Sequence, residues 1–198
     1  MDKRIRIYMT GVGGQGTLTA TTLLARVALD AGVAVVAGEV HGMAQRGGVV
    51  ESVVLLGGWS APKLDHGEAD IVLGFEPLET LRGLPYLRAG GAVFSNEDKM
   101  PPVGVSMGKE NYPDMSVIKE KVRNVAGRVH YLHCRELGMR AGSIQAGNAA
   151  LLGALCASGL LPFNEKTLEA GIYKFLPAKI VESNIKAMNL GVDAVRAV

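Results

Sequence analysis

A glycine-rich stretch near the amino terminus is the first place where residue types and spacing suggest chemistry. Residues 11–16 read GVGGQG, and Gly11, Gly13 and Gly16 match the G-x-G-x-x-G pattern. Glycines permit a sharp turn, and a helix that begins directly after them presents unpaired N–H groups and a positive dipole end to a phosphate. The stretch therefore predicts a phosphate or anion site. The alternative is that the glycines only let a strand turn tightly into its helix.

A dinucleotide-binding fold adds an acidic side chain about twenty residues later, at the end of the second strand. Glu39 has that position, which keeps an NAD-dependent dehydrogenase open as an alternative interpretation. Against that interpretation, the sequence offers no convincing set of catalytic acid, base and hydride acceptor. It also offers no separate substrate domain.

The segment Glu39–Gly48 reads EVHGMAQRGG and mixes polar side chains with glycines. His41, Gln45 and Arg46 can bind anions or amides, whereas Met43 and Arg46 are residue types enriched at protein interfaces. We interpret the segment as a ligand-binding or protein-contact loop. A plain surface loop is the alternative.

Several other polar residues are expected to be structural. Glu76 and Glu79 lie in the first turn of a predicted helix, where carboxylates complement the helix dipole, and this role is favoured over a catalytic pair. His130 and His133 lie around a predicted strand next to Cys134. Because these three residues lack the spacing of a metal site, we predict that they serve packing.

Asn148 is a polar residue on an otherwise apolar helical face, which it shares with Ile144, Leu151 and Leu155. An amide in such a place usually bonds to the backbone of a neighbouring loop, because burying it without a partner is costly. Contact with a ligand is the alternative.

Six apolar runs predict the strands that position these groups. They are Ile5–Met9, Val33–Val36, Val49–Leu56, Ile71–Phe75, Ala92–Phe94 and Val129–Leu132. Continuous apolar runs separated by helix-like stretches suit strands that are buried on both faces of a parallel sheet. We predict an α/β fold in which residues 1–198 form one Rossmann-like three-layer domain, with a mostly parallel sheet and a helical C-terminal third. Segments that follow the first, second, fourth and fifth strands, the last of them Ser95-Asn96, then meet at the carboxyl edge of the sheet.

Composition excludes several classes of protein. The 198 residues carry a formal charge of +2 and no long run of Lys or Arg, which argues against a nucleic-acid partner. The sequence shows no signal peptide and no apolar stretch of membrane length, so we expect a cytoplasmic protein without a membrane contact. Its two cysteines, Cys134 and Cys156, have no metal or redox spacing. By itself the chain cannot hold a four-cysteine iron–sulfur cluster.

Taken together, five motifs resemble the gamma-type subunit family of 2-oxoacid:ferredoxin oxidoreductases, and most closely the small (beta) subunits of its indolepyruvate branch. They are GVGGQG at Gly11–Gly16, EVHGMAQRGG at Glu39–Gly48, ADIVLGFEPLETLR at Ala69–Arg82, NAALLGAL at Asn148–Leu155 and FLPAKIVESNIKAMNLG at Phe175–Gly191. The glycine pattern alone is common, but the second motif in this order and spacing with the others is specific. The similarity extends over nearly the whole chain.

The resemblance implies that different subunits of one complex have different roles in the reaction. Partner subunits of this family hold thiamine diphosphate, magnesium and 4Fe-4S clusters. The complex decarboxylates a 2-oxoacid oxidatively with coenzyme A, giving an acyl-CoA, carbon dioxide and reduced ferredoxin. The present chain lacks the GDG signature of thiamine diphosphate and magnesium binding, in agreement with a small subunit that packs on the thiamine subunit and is inactive alone. The identity of the oxoacid stays open, and a homodimer of the isolated chain is compatible with the family.

Coenzyme A is the ligand that the resemblance suggests for the glycine stretch and the loop that contains Arg46. We predict no catalytic residue and no metal ligand in this chain. The predicted cofactor-binding residues are Gly11, Gly13, Gly14, Gln15, Gly16, Glu39, His41, Gln45 and Arg46. A purely structural interaction module is the remaining alternative.

Overall fold

The computed structural model describes residues 3–41 and 48–197. Within these residues the strands are β1 (Ile5–Val12), β2 (Val35–His41), β3 (Val49–Leu56), β4 (Ala69–Gly74), β5 (Leu87–Asn96) and β6 (Arg128–Leu132). Each predicted apolar run overlaps one strand, so the strand predictions are confirmed. β1, β2 and β5 extend further than predicted: β1 continues into Gly11 of the glycine stretch, β2 continues through Gly38 and Glu39, and β5 includes the exposed residues 88–90. Such polar or glycine-containing ends do not form an apolar run.

The order of the strands places a reversed strand beside β1. Across the described sheet the order is β2-β3-β1-β4-β5-β6. β3 is antiparallel to both β1 and β2, whereas β1, β4, β5 and β6 pair in parallel. Five of the six described strands therefore run in one direction, which confirms the mostly parallel sheet.

Helices cover both faces of this sheet. Their bounds in the described residues are α1 (Thr17–Asp30), α2 (Pro77–Gly83), α3 (Val103–Ser106), α4 (Met115–Val125), α5 (Cys134–Arg140), α6 (Gly147–Ala157), α7 (Glu165–Phe175) and α8 (Ala178–Arg196), with 3-10 turns at Leu84–Tyr86 and Ile144–Ala146. The run from α5 to α8 confirms the helical C-terminal third. The sequence did not predict α3 or α4. None of these described helices combines the length and the apolar character that crossing a membrane requires.

Side chains along β1 point alternately to the two faces of the sheet, where the core forms two layers. Ile7 and Met9 pack with residues of α1, α6 and α8 on one face of the sheet. Tyr8 packs on the other face, where Ile118 and Val122 of α4 complete a smaller cluster. Successive side chains of a strand point to opposite faces, so one strand contributes to both layers. The Rossmann-like three-layer α/β prediction is thus confirmed.

Contact between α6 and α8 depends on the absence of two side chains. A Cβ atom at Gly153 of α6 would lie 2.3 Å from the carbonyl oxygen of Met188, and one at Gly191 of α8 would lie 1.9 Å from that of Ala150. These glycines let the two helix backbones approach at closer than ordinary packing distance. α6 also packs against α1, α5, α7 and β5, so it is enclosed on nearly all sides, which explains why it is apolar around its whole circumference.

Candidate functional site

Segments that are far apart in sequence meet at the carboxyl edge of the sheet. The side-chain amide nitrogen of Gln15 donates to the carbonyl of Phe75 at 3.2 Å, and that of Asn96 donates to the same carbonyl at 3.0 Å. The N–H of Gly13 donates to the carbonyl of Gly48 at 2.7 Å. The ends of β1, β4 and β5 and the start of β3 are therefore tied together. The predicted convergence is confirmed for the segments after β1, β4 and β5, whereas most of the segment after β2 lies outside the described residues.

The glycine loop between β1 and α1 is held in shape by its own polar groups. Gln15 accepts a hydrogen bond from the N–H of Val12 at 2.7 Å through its side-chain oxygen, so this side chain braces the turn. Gly14 and Gly16 have φ angles of 99° and 81°, which side-chain-bearing residues rarely adopt. A Cβ atom on Gly11 would lie 2.6 Å from the hydroxyl oxygen of Thr17. The loop geometry thus favours glycine at Gly11 and Gly16 of the motif, and also at Gly14.

The amino terminus of α1 opens directly from this loop without a cap. Gly16 is the N-cap residue, no side chain caps it, and the first turn contains no acidic residue. The first N–H groups of a helix have no carbonyl partner within the helix, and the dipole leaves partial positive charge beside them. An anion placed there would supply both the missing acceptors and the missing negative charge.

An apolar cavity of about 300 Å³ adjoins this helix terminus. Leu23 of α1, Leu152 of α6 and Ile180 of α8 contribute apolar walls, and Gln145 and Asn184 add polar groups to the lining. The volume is at the lower end of the range for small-molecule sites. The cavity offers an apolar compartment beside an anion-binding terminus.

Asn148 joins α6 to the glycine loop. Its side-chain nitrogen donates to the carbonyl of Gln15 at 2.6 Å, and the residue also lines the cavity. The prediction that this amide bonds to the backbone of a neighbouring loop is confirmed. A Cβ atom on Gly16 would come within 3.1 Å of the same nitrogen, so the contact also restricts that position to glycine.

Glu39, the first predicted binding residue of the second segment, is separated from the glycine loop by a strand. Glu39 lies within β2, paired with Ser52 of β3, and β3 stands between β2 and β1. In a dinucleotide-binding fold the acidic residue ends the strand next to β1. Here β2 and β1 are two strand spacings, roughly 10 Å, apart. The topology therefore disfavours the NAD-dehydrogenase interpretation. His41 ends β2, and the structure does not describe its side chain; Gln45 and Arg46 lie outside the described residues.

Glu76 caps α2 from a fully buried position. One of its carboxylate oxygens accepts from the N–H groups of Leu78 at 2.7 Å and Glu79 at 3.1 Å. The other accepts from the hydroxyl of Tyr112 at 2.6 Å and from the N–H of Met100 at 3.3 Å. The structural role that was favoured over a catalytic pair is confirmed for Glu76. The residue also ties the segment after β5 to α2.

His130 and His133 differ in their surroundings. His130 stacks on Phe94 with ring centroids 5.0 Å apart, which confirms packing. His133 is exposed, with its ring nitrogens 3.3 Å from Glu97 and 3.7 Å from Asp98, so packing was the wrong prediction there. Exposure at the end of β6 lets this histidine pair with surface carboxylates instead. In residues 3–41 and 48–197, no group of three or more His, Cys, Asp or Glu is arranged to hold a metal ion.

Comparison with known proteins identifies the family. Residues 6–194 match the family described as pyruvate ferredoxin/flavodoxin oxidoreductase. The chain belongs to this family. Indolepyruvate oxidoreductase subunit IorB of Thermococcus kodakarensis is 42% identical to it, over 98% of this chain and 97% of the relative. The resemblance predicted from the five motifs is confirmed.

Solved structures show the oxidoreductase fold in two settings. The gamma subunit of a keto/oxoacid ferredoxin oxidoreductase from Geobacter sulfurreducens superposes with a TM-score of 0.70 at 21% identity, covering 98% of this chain and 99% of that one. The 2-oxoglutarate:ferredoxin oxidoreductase of Magnetococcus marinus gives 0.71 at 18% identity, with all of this chain matching 32% of that one. The same fold therefore occurs both as a separate subunit and within a longer chain.

The sequence did not predict that residues of α8 line the cavity. Ile180 and Asn184 lie in the motif Phe175–Gly191, yet that motif entered the argument only as a mark of the family, whereas Asn148 had been considered as a possible ligand contact. The position of Ile180 and Asn184 in a family motif was the available signal. No spacing rule connects segments that are this far apart.

Glu79 predicts a pH dependence of stability. It is fully buried; one oxygen accepts from Arg82 at 2.6 Å, and the other has no hydrogen-bond partner among the described residues. Burial raises the pKa of Glu79 to about 7, against the opposing effect of the Arg82 guanidinium. In the unfolded chain, the Glu79 carboxyl group releases its proton at about pH 4.3. The free energy of unfolding should therefore fall as the pH rises from about 4.5 to about 7, and this contribution should be constant above that window.

A Glu79→Gln variant isolates this effect, because its amide stays neutral at every pH. Urea denaturation of both proteins between pH 4.5 and 8 should show that the variant gains stability relative to the original chain as the pH rises towards 7. A difference between the two proteins that does not change with pH would show that Glu79 ionises equally in the folded and unfolded states.

Proposed function

We propose that this chain is the small subunit of a multi-subunit indolepyruvate:ferredoxin oxidoreductase. The complex would decarboxylate an aryl pyruvate oxidatively, join the acyl group to coenzyme A, release carbon dioxide and pass the electrons to ferredoxin. The observation that supports this function best is the similarity to an indolepyruvate oxidoreductase subunit along nearly the full length of both chains. We place the complex in the cytoplasm.

The redox cofactors belong to a larger partner subunit in this proposal. Cys134 and Cys156 are the two cysteines of the chain, and both are buried. Burial raises the pKa of both thiols, whereas a cluster ligand must be a thiolate. These residues do not fit an iron–sulfur cluster. Thiamine diphosphate, magnesium and the 4Fe-4S clusters are therefore assigned to the partner, on which this chain packs.

The uncapped terminus of α1 is our candidate for binding the pyrophosphate of coenzyme A. Its first N–H groups lack a capping side chain, and Gly14 before it is exposed, so a ligand can approach the backbone closely. The adjoining cavity of about 300 Å³ supplies an apolar compartment for another part of the ligand. His41, Gln45 and Arg46 remain predicted contacts from the end of β2 and the segment that follows it, whereas the position of Glu39 beyond β3 argues against a contact there.

A purely structural role for the glycine loop has one specific observation in its favour. Both ends of the Gln15 side-chain amide are used within the fold, and the backbone carbonyl of Gln15 accepts from Asn148. The loop could be shaped for these contacts alone. Ligand binding distinguishes the two interpretations, because a structural loop predicts no coenzyme A contact at α1.

A pair of substitutions at Gly14 tests the coenzyme A proposal. A Cβ atom there meets nothing within 4 Å, and aspartate and asparagine tolerate positive φ better than most residues. Gly14→Asp places a negative charge at the helix terminus, whereas Gly14→Asn requires the same backbone conformation without adding a charge. We expect coenzyme A to bind the complex about tenfold more weakly with aspartate than with asparagine, the size of one lost charge-assisted contact.

The measurement is isothermal titration of the purified complex with coenzyme A. Equal affinities for the two variants would assign the loop a structural role.

The subunit assignment has a separate test: affinity purification of the tagged chain from its native cells. A larger iron–sulfur partner and reduction of a viologen dye that depends on indolepyruvate and coenzyme A are expected. A chain that elutes alone without that activity would contradict the assignment.

A further inference from the structure

A second cleft lies at the amino-terminal edge of the sheet, opposite the glycine loop. It encloses about 280 Å³ between the first residues of β1, β4, β5 and β6. Lys3, Arg88 and Arg128 line it. Neither the sequence motifs nor the proposed coenzyme A site uses this edge, so the function of the cleft is a separate question.

Two of the cations are held by neutral groups. The Lys3 ammonium donates to the carbonyl of Leu160 at 3.2 Å, and the Arg128 guanidinium donates to the carbonyl of Ser158 at 3.1 Å. Both carbonyls belong to the short turn that follows α6, so one backbone segment holds the two side chains on the same wall. Carbonyl oxygens fix the position of a cation but do not neutralise its charge. These contacts therefore leave positive charge directed at the cleft.

The opposite wall is partly neutralised. Arg88 donates to Asp70 at 2.8 Å, and Asp70 also accepts from the N–H of Arg6. Asp70 is the carboxylate that lines the cleft within residues 3–41 and 48–197. Arg4 lies on the border too, but its guanidinium is turned to the carbonyls of Gly57 and Gly58. Lys3, Arg88 and Arg128 against Asp70 leave a net positive charge on the described lining.

Glycine backbone keeps the space between the two walls open. Gly90, Gly91 and Gly127 contribute no side chain: Gly90 has a φ angle of 71°, and the surroundings of Gly91 and Gly127 leave no room for one. A Cβ atom at Gly127 would lie 2.6 Å from the carbonyl oxygen of Gly90, and one at Gly91 would lie 3.0 Å from that of Asp70. A ligand can therefore reach the cations of both walls without displacing a side chain.

We propose that this cleft binds the phosphate group of a small organic phosphate or diphosphate. Three cations from two walls match the charge and the several acceptor oxygens of a phosphate, and an arginine guanidinium can bind two of those oxygens at once. The volume is just below the usual range for small-molecule sites, which favours a small ligand over a complete nucleotide cofactor. The site is independent of the coenzyme A proposal, because it lies at the opposite edge of the sheet.

Titration of the full chain with inorganic pyrophosphate at low ionic strength tests the proposal. Lys3→Gln and Arg128→Gln remove charge, yet glutamine can still donate to the carbonyls that hold the two side chains. The double variant should bind pyrophosphate at least about tenfold more weakly than the original chain. Lys186→Gln, at an exposed position on α8, is the matched control and should bind normally.

Gly14→Asp separates this cleft from the terminus of α1, which is the other proposed phosphate site. Pyrophosphate binding that survives Gly14→Asp and is lost in the double variant supports the cleft. Binding that is lost in Gly14→Asp and kept in the double variant overturns the proposal. Absence of pyrophosphate binding in the original chain, or binding that none of these substitutions changes, overturns it equally.

Discussion

Replacement of Gly191 by alanine is expected to destabilise the protein by about 3 kcal/mol, because it inserts a methyl group where two helix backbones meet. The added Cβ atom would lie 1.9 Å from the carbonyl oxygen of Ala150 and 2.5 Å from its carbonyl carbon. Neither atom can rotate away, since both belong to the backbone of α6. The helices must separate, and the apolar contacts between α6 and α8 loosen with them.

Intrinsic helix propensity acts in the opposite direction at this position. Alanine is favoured over glycine inside a helix by about 1 kcal/mol, so the expected loss is already net of that gain. For a domain of this size, each kcal/mol lowers the melting temperature by about 2–4 °C. The variant should therefore melt about 6–12 °C below the original protein.

Scanning calorimetry and urea denaturation measure this change. Asn189→Ala is the control, because it introduces the same residue into an exposed position of α8. We expect that variant to remain within about 0.5 kcal/mol of the original protein. If the two variants proved equally stable, the close approach of α6 and α8 would not contribute to stability as the structure indicates.

Loss of the Glu76 carboxylate is the second change with a large expected effect. Glu76→Ala removes the cap of α2 and leaves the N–H groups of Leu78 and Glu79 without their acceptor. It also removes the acceptor of two part-buried hydrogen bonds, those from the Tyr112 hydroxyl and the Met100 N–H. A lost cap costs about 1 kcal/mol and each of the two lost part-buried hydrogen bonds costs about 1 kcal/mol, so we expect a total loss of about 3 kcal/mol.

Two comparisons separate the role of Glu76 from a general effect of charge. Glu120→Ala removes an exposed glutamate from α4 and should change stability little. Glu76→Gln keeps one acceptor oxygen and should fall between the two alanine variants. Limited proteolysis should find residues 98–112 more accessible in Glu76→Ala, because this segment loses two tethers. A Glu76→Ala protein as stable as Glu120→Ala would contradict the role of this carboxylate.

Local patterns in the sequence were sufficient to predict much of the architecture. Apolar runs located every described strand, because strands buried on both faces require continuous apolar residues. The glycine spacing located the turn into α1, since Gly14 and Gly16 adopt positive φ. The position of Glu76 at the start of α2 followed from the same kind of local rule, but only the structure showed that it is the N-cap. Predictions weakened where a residue's role depends on exposure, as at His133.

By itself, the sequence determined the family, the α/β class and the position of the glycine loop, because each rests on residues that are close together along the chain. Only the tertiary structure decided which distant segments meet. It inserted the reversed strand β3 between β1 and β2, which moved Glu39 away from the glycine loop. It also brought Asn148 to Gln15, and Lys3 and Arg128 to one turn. Strand order and helix packing are set by the burial of the whole core, which no local spacing encodes.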